Sequence, residues 1–148
     1  MKSLSIVFLF IVLSKGYSQE RATYFELGGA SPMISMNFEG VLDHAYLMNY
    51  RVGVGYATGW DQFLTFPLGL TKFIKTKGND YFEIGAVYTV GLNLTERETS
   101  GIFFGNFGFR FYNKKDTTFF RLVFNPAINF GESPSIFPWG GISVGFKL

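Results

Sequence analysis

The 148-residue sequence predicts an all-β fold, a closed barrel of eight antiparallel strands running up and down, preceded by a cleavable signal peptide. Three observations lead there. Apolar and polar residues alternate with a period of two, and turn chemistry returns at short intervals. Several alternating stretches run well past the five or six residues usual for a globular strand. Six charged residues within those stretches, Glu26, Glu39, Arg51, Glu83, Arg110 and Arg121, fall on the polar face.

The first element is not a strand. Lys2 opens the chain, residues 4–13 are apolar except for Ser5, and Gly16 and Ser18 precede a cut before Gln19. Ten apolar residues are too few to cross a bilayer as a helix. Residues 1–18 are therefore read as an export signal and 19–148 as the barrel. Losing Lys2 and Lys15 takes the basic residues from 13 to 11, against 11 acids, so the mature chain is neutral. A neutral chain lacks the clustered positive surface that a nucleic-acid partner requires. With no cysteine there is no lipid attachment site, disulfide or thiolate chemistry.

Eight strands are expected at 24–30, 33–40, 46–57, 62–75, 80–93, 101–113, 117–130 and 138–148. Ser31-Pro32, residues 77–80, 114–116 and 131–134 supply turns. The connections 94–100 and 131–137 read as longer than those after strands two, four and six. That parity fits a membrane barrel with short turns at one end and longer loops at the other.

The third strand sets Tyr46, Met48, Tyr50, Val52, Val54 and Tyr56 against Asn49, Arg51, Gly53 and Gly55. The fifth sets Phe82, Ile84, Ala86, Tyr88, Val90 and Leu92 against Glu83, Gly85, Thr89 and Gly91. The sixth carries Phe103, Phe107, Phe109 and Phe111 opposite Asn106, Gly108 and Arg110. With Lys115 and Asp116 at a hairpin tip, Phe107 faces Phe124, Phe109 faces Leu122 and Phe111 faces Phe120. Arg110 then faces Arg121, and a slip of one residue would throw charge into the apolar band.

Glu26, Glu39, Arg51, Glu83, Arg110 and Arg121 all lie on the polar face. An Arg turned to lipid at mid-bilayer costs about 2–4 kcal/mol, and an acid less. Turning that whole face outward would cost on the order of 10 kcal/mol, comparable with the stability of a domain. The polar face is therefore expected inside, as a charged layer in the half of the lumen near the short turns. The aromatic face then meets acyl chains, with Tyr46, Tyr56 and Trp60 near strand ends. Arg110 and Arg121 repel unless accompanied, and Glu83 is the expected counter-ion. Glycines leave room for the long charged side chains in an interior only wide enough to be filled by side chains.

Chemistry beyond this is sparse. His44, the single histidine, falls in a turn, and Asp43 beside it is too little for a metal site. The paired glutamates read as ion-pair partners rather than acid–base catalysts. The GVG of RVGVGYATG has no helix after it to form a nucleotide loop. No catalytic residue, cofactor site or metal site is expected.

The mature chain resembles the small eight-stranded outer-membrane barrels of the OmpA transmembrane-domain and OmpX type, and is similar to short outer-membrane barrels of Bacteroidota. The signal ending YSQ, the segments YFELGG, YRVGVGY and FPLGLTKFI, and the terminus PWGGISVGFKL carry the likeness. Phe146 and Leu148 resemble a C-terminal sorting signal read by the outer-membrane assembly machinery. The resemblance implies residence in the outer membrane of a Gram-negative bacterium, contact with its lipid, and no enzyme activity. The expectation is a structural or surface-interaction role. A narrow pore or small-ligand conduit is the alternative, and a soluble periplasmic lipocalin-like binder, which needs the reverse arrangement of faces, is the second.

Overall fold

The computed structural model describes residues 21–58, 61–130 and 134–148, so the expected signal peptide and Trp60 lie outside the described residues. Ten strands form one sheet: β1 (Arg21–Gly28), β2 (Ile34–Asp43), β3 (Met48–Thr58), β4 (Gln62–Lys75), β5 (Tyr81–Asn93), β6 (Thr99–Tyr112), β7 (Thr118–Phe124), β8 (Ala127–Asn129), β9 (Ser135–Phe137) and β10 (Gly140–Lys147). Every pairing is antiparallel. β10 returns to β1, and β5 pairs with β6 to close the sheet on itself.

Eight staves make the wall, because β7 with β8 and β9 with β10 are each one stave broken at a proline. The register of β10 against β7 continues unchanged into that of β9 against β8 and sets Pro126 opposite Pro138. Neither residue has an N–H to give the ladder, so a rung is missing there. Pro67 has the same effect on the β3–β4 ladder, where pairing lapses between Val52↔Leu68 and Gly55↔Thr65.

The stagger follows from the register. From Glu26, partners lead through Ser35, Gly55, Thr65 and Gly91 to Ser100 on β6. In the other direction they lead through Ser143 and Arg121 to Arg110, ten residues away on the same strand. Ten residues of stagger over eight staves tilts the strands by about 40°. The expected sixth-to-seventh hairpin register holds, with Phe107↔Phe124, Phe109↔Leu122, Arg110↔Arg121 and Phe111↔Phe120.

Three expectations change. The first strand begins at Arg21, and residues 29–33 leave the wall. The last stave starts earlier than expected, since Ser135–Phe137 are β9 rather than loop. Thr99 and Ser100 belong to β6, which leaves 94–98 as a connection no longer than 113–117, so the expected contrast in loop length disappears. Residue composition alone did not separate strand from loop at these ends: Thr99 and Ser100 carry turn-like chemistry yet pair with Leu92 and Gly91 of β5. Tyr46 lies in the β2–β3 turn, exposed, rather than on β3.

The β1–β2 connection turns into the barrel. Gly28 and Gly29 both take φ of 72°, a left-handed conformation that L side chains rarely adopt. Ala30 and Ser31 follow, fully buried. Thr89 Oγ1 donates to the Ala30 carbonyl at 2.6 Å, and the Ser31 and Thr65 hydroxyls share a hydrogen bond of 2.6 Å. Ala30 packs with Val87 and Phe104, with Ala127 and Trp139 against them. A Cβ on Gly29 would press against the Glu26 carboxylate. Gly29→Ala should therefore cost about 1–3 kcal/mol, as a strained left-handed residue does. The urea midpoint of unfolding, read by tryptophan fluorescence, should fall; an unchanged midpoint contradicts this account of the turn.

Candidate functional site

Alternation along each stave decides which side chains enter the lumen. On β1 those are Ala22, Tyr24 and Glu26; on β7, Phe119, Arg121 and Val123. All six expected charged residues, Glu26, Glu39, Arg51, Glu83, Arg110 and Arg121, are buried, none more than 4% exposed.

They form a single row of alternating sign. Arg51 Nη2 reaches Glu26 Oε1 at 2.9 Å, and Glu26 Oε2 receives Arg121 Nη1 at 2.6 Å. Arg121 Nε donates to Glu83 Oε2 at 2.7 Å, and Glu83 Oε1 accepts from Arg110 Nε at 2.5 Å. Arg110 closes the row with a bidentate grip on Glu39, each of its two terminal nitrogens 2.9 Å from a carboxylate oxygen. The row ties β3, β1, β7, β5, β6 and β2 together. Ser143 adds β10 through a 3.3 Å hydrogen bond to Glu26.

Glu83 is thus the counter-ion of Arg110, and of Arg121 as well. One carboxylate shared between them relieves the like-charge contact that their opposed register imposes. The layer lies toward the end of the barrel where β1 begins and β10 finishes, with the turns 44–47, 76–80 and 113–117.

Aromatic rings seat the guanidinium groups. Arg110 lies 4.2 Å from the Phe119 ring centroid and 4.6 Å from that of Phe73. Tyr24 stands 5.7, 5.9 and 5.6 Å from Arg51, Arg110 and Arg121, within cation–π range of all three. Asn37 accepts from Arg51 at 3.1 Å, and Asn106 from Arg121 at 2.7 Å. These partners were not singled out from the sequence. The available signal was parity: Tyr24 precedes Glu26 by two residues, and Phe119 precedes Arg121 by two.

The remaining candidate features supply no reactive set. His44 is exposed in the β2–β3 turn and lines a small vestibule of about 70 Å³ with Glu39, Asn49, Tyr81 and Tyr112. Among the described residues no group of His, Asp or Glu could hold a metal ion. Phe146 and Leu148 both face out, 48% and 72% exposed, beside the N-terminal end of β1.

Breaking a buried ion pair from one side strands the other charge and costs about 3–5 kcal/mol. Arg110→Met leaves both Glu39 and Glu83 short of a partner, so its urea midpoint should fall by the equivalent of that range. Arg51 bonds through one nitrogen only, and Arg51→Met should cost less. Equal losses would show that the row is not held as the distances indicate.

No family model matches the chain, and no curated protein matches its sequence. Among solved structures it is similar to the crystal structure of the N-terminal beta-barrel domain of Pseudomonas aeruginosa OprF, with a TM-score of 0.56 and 12% identity. The match covers 88% of this chain and 96% of that one. Likeness at this identity is one of architecture: the chain carries a closed antiparallel barrel of eight staves.

Proposed function

We propose that the chain is an integral outer-membrane barrel with a side-chain-filled interior and a structural or surface-interaction role, without enzyme activity. The observation that carries this reading is the inversion of its faces. Arg51, Arg110 and Arg121 are at most 2% exposed, while Phe25, Leu68, Phe109, Leu122 and Val144 on five different staves are between 45% and 57% exposed. A barrel in water would hold those apolar side chains in its core. Here the exterior offers hydrocarbon-compatible surface and the closed ladder leaves few backbone groups for lipid to strand.

The fold likeness to the OprF domain supports the same placement. Under this reading residues 1–18 direct export, Phe146 and Leu148 present the sorting signal to the assembly machinery, and outer-membrane lipid is the constant partner. The end carrying the termini and the charged layer faces the periplasm. The row of ion pairs crosses the lumen and fills it, which argues against the conduit alternative. The outward apolar face argues against the soluble binder.

Gel mobility tests the central point. Detergent-refolded protein should run as a compact species unless boiled, and should float with phospholipid vesicles. Protein that stays soluble and monodisperse without detergent once the signal is removed would refute it. In planar bilayers the same preparation should give no stable conductance steps.

A further inference from the structure

The wall of the barrel is not level. The β1–β2 hairpin stops at Gly28 and Ile34, whereas its neighbours continue. Gly28 pairs with Gly141, and the stave of β10 and β9 runs six residues further, to Ser135. That is about 20 Å of strand at 3.3 Å per residue. On the other side β3 passes the last β2 pair, Ile34↔Tyr56, to reach Thr58, and the tilt carries β4, β5 and β6 higher still. The result is a notch two staves wide at the end opposite the termini. Its sill bears exposed Leu27, Met33 and Ile34, continuous with the apolar exterior.

Behind the sill lies a cup of about 430 Å³, lined by Pro32, Ala57, Phe63, Thr65, Thr89 and Ile102 among others. Its volume falls in the range of small-molecule sites, far above the space of a few waters. Two of the lining hydroxyls are already bonded, that of Thr89 to the Ala30 carbonyl and that of Thr65 to Ser31. The lining is therefore mainly carbon, its Thr65 and Thr89 hydroxyls are occupied, and Asp61 is its sole ionisable member among the described residues. Water gains little in such a space, and an ionic ligand finds no counter-charge at its floor.

From this geometry we infer that the cup takes one acyl chain of a lipid in the adjoining leaflet, which enters sideways over the Leu27–Ile34 sill. The inference rests on the membrane reading above. Lateral entry follows from the notch: the sill and the exterior are one apolar surface, so a tail reaches the cup without crossing a polar barrier. The polar head of the lipid stays at the rim.

Tryptophan quenching by phospholipids brominated on their chains tests this. With Trp60 and Trp139 replaced by Phe, one variant carries Ile102→Trp, facing the cup, and another Phe103→Trp, facing out. A third keeps Trp139, partly buried and packed against Ala30, as the lumenal reference outside the cup. Brominated vesicles should quench the Ile102 probe as strongly as the Phe103 probe and leave Trp139 bright. Quenching of the Phe103 probe alone would overturn the tail site and leave the membrane reading standing. An unquenched Phe103 probe would overturn the membrane reading itself. Quenching of the Ile102 probe by aqueous iodide but not by bromolipid would show a water-filled cup and sink the inference. Ser100→Trp, on the same face, serves if Ile102→Trp does not fold, as judged by gel mobility.

Discussion

Six ionised side chains crossing the lumen in alternating sign, Arg51, Glu26, Arg121, Glu83, Arg110 and Glu39, constrain most of what surrounds them. Removing each charge from water carries a penalty of several kcal/mol, and attraction offsets it only when every lone pair and proton finds a partner in good geometry. Arg51–Glu26 lies within β1–β3, and Glu83 with Arg110 and Arg121 lies within β5–β7, but Arg121–Glu26 spans the seam where β10 meets β1. Closure of the sheet therefore completes the row, and the completed row holds the seam in register.

The same row dictates where bulk can and cannot be placed. β4 contributes no charged lumenal residue; it presents Thr65, Pro67, Gly69, Thr71 and Phe73. On β3, Gly53 lies against the Asn37 carboxamide, and on β10, Gly145 lies against the Phe119 ring and Tyr24. Small residues at these points let long side chains from the opposite wall fold down into layers, with aromatic rings between the guanidinium groups. The interior is packed as a solid of alternating charge and ring, where a soluble barrel would pack aliphatic carbon.

Much of this was legible from alternation. Period two assigned all six charges to one face, and the opposed arginines of the β6–β7 hairpin demanded a shared acid, which Glu83 supplies. What alternation could not convey was distance around the barrel. Glu39 and Arg110 lie 71 residues apart and meet through stagger, a property of all the pairings together. Tyr24 and Phe119 read as ordinary aromatic strand residues until their parity is tied to Glu26 and Arg121. The inward turn after Gly29 was hidden for another reason: Ser31 and Pro32 carry loop chemistry, and the partners of buried Ala30 and Ser31 are Thr89 and Thr65 on distant staves. Strand ends at Arg21, Thr99 and Ser135 were set by tilt, which residue type does not encode.

The missing rung at Pro126 and Pro138 has a mechanical consequence. Above it, the β8–β9 ribbon is joined to β6 through the strand pairs Phe103↔Ile128 and Phe104↔Ala127, with Phe130 against the Phe103 ring, while the cylinder below is cross-linked by ion pairs. Two prolines abreast act as a perforation line: distortion of the ribbon tip stops there instead of propagating into the stave register. The sequence between the prolines can thereby shorten or lengthen while the cylinder beneath keeps its shape.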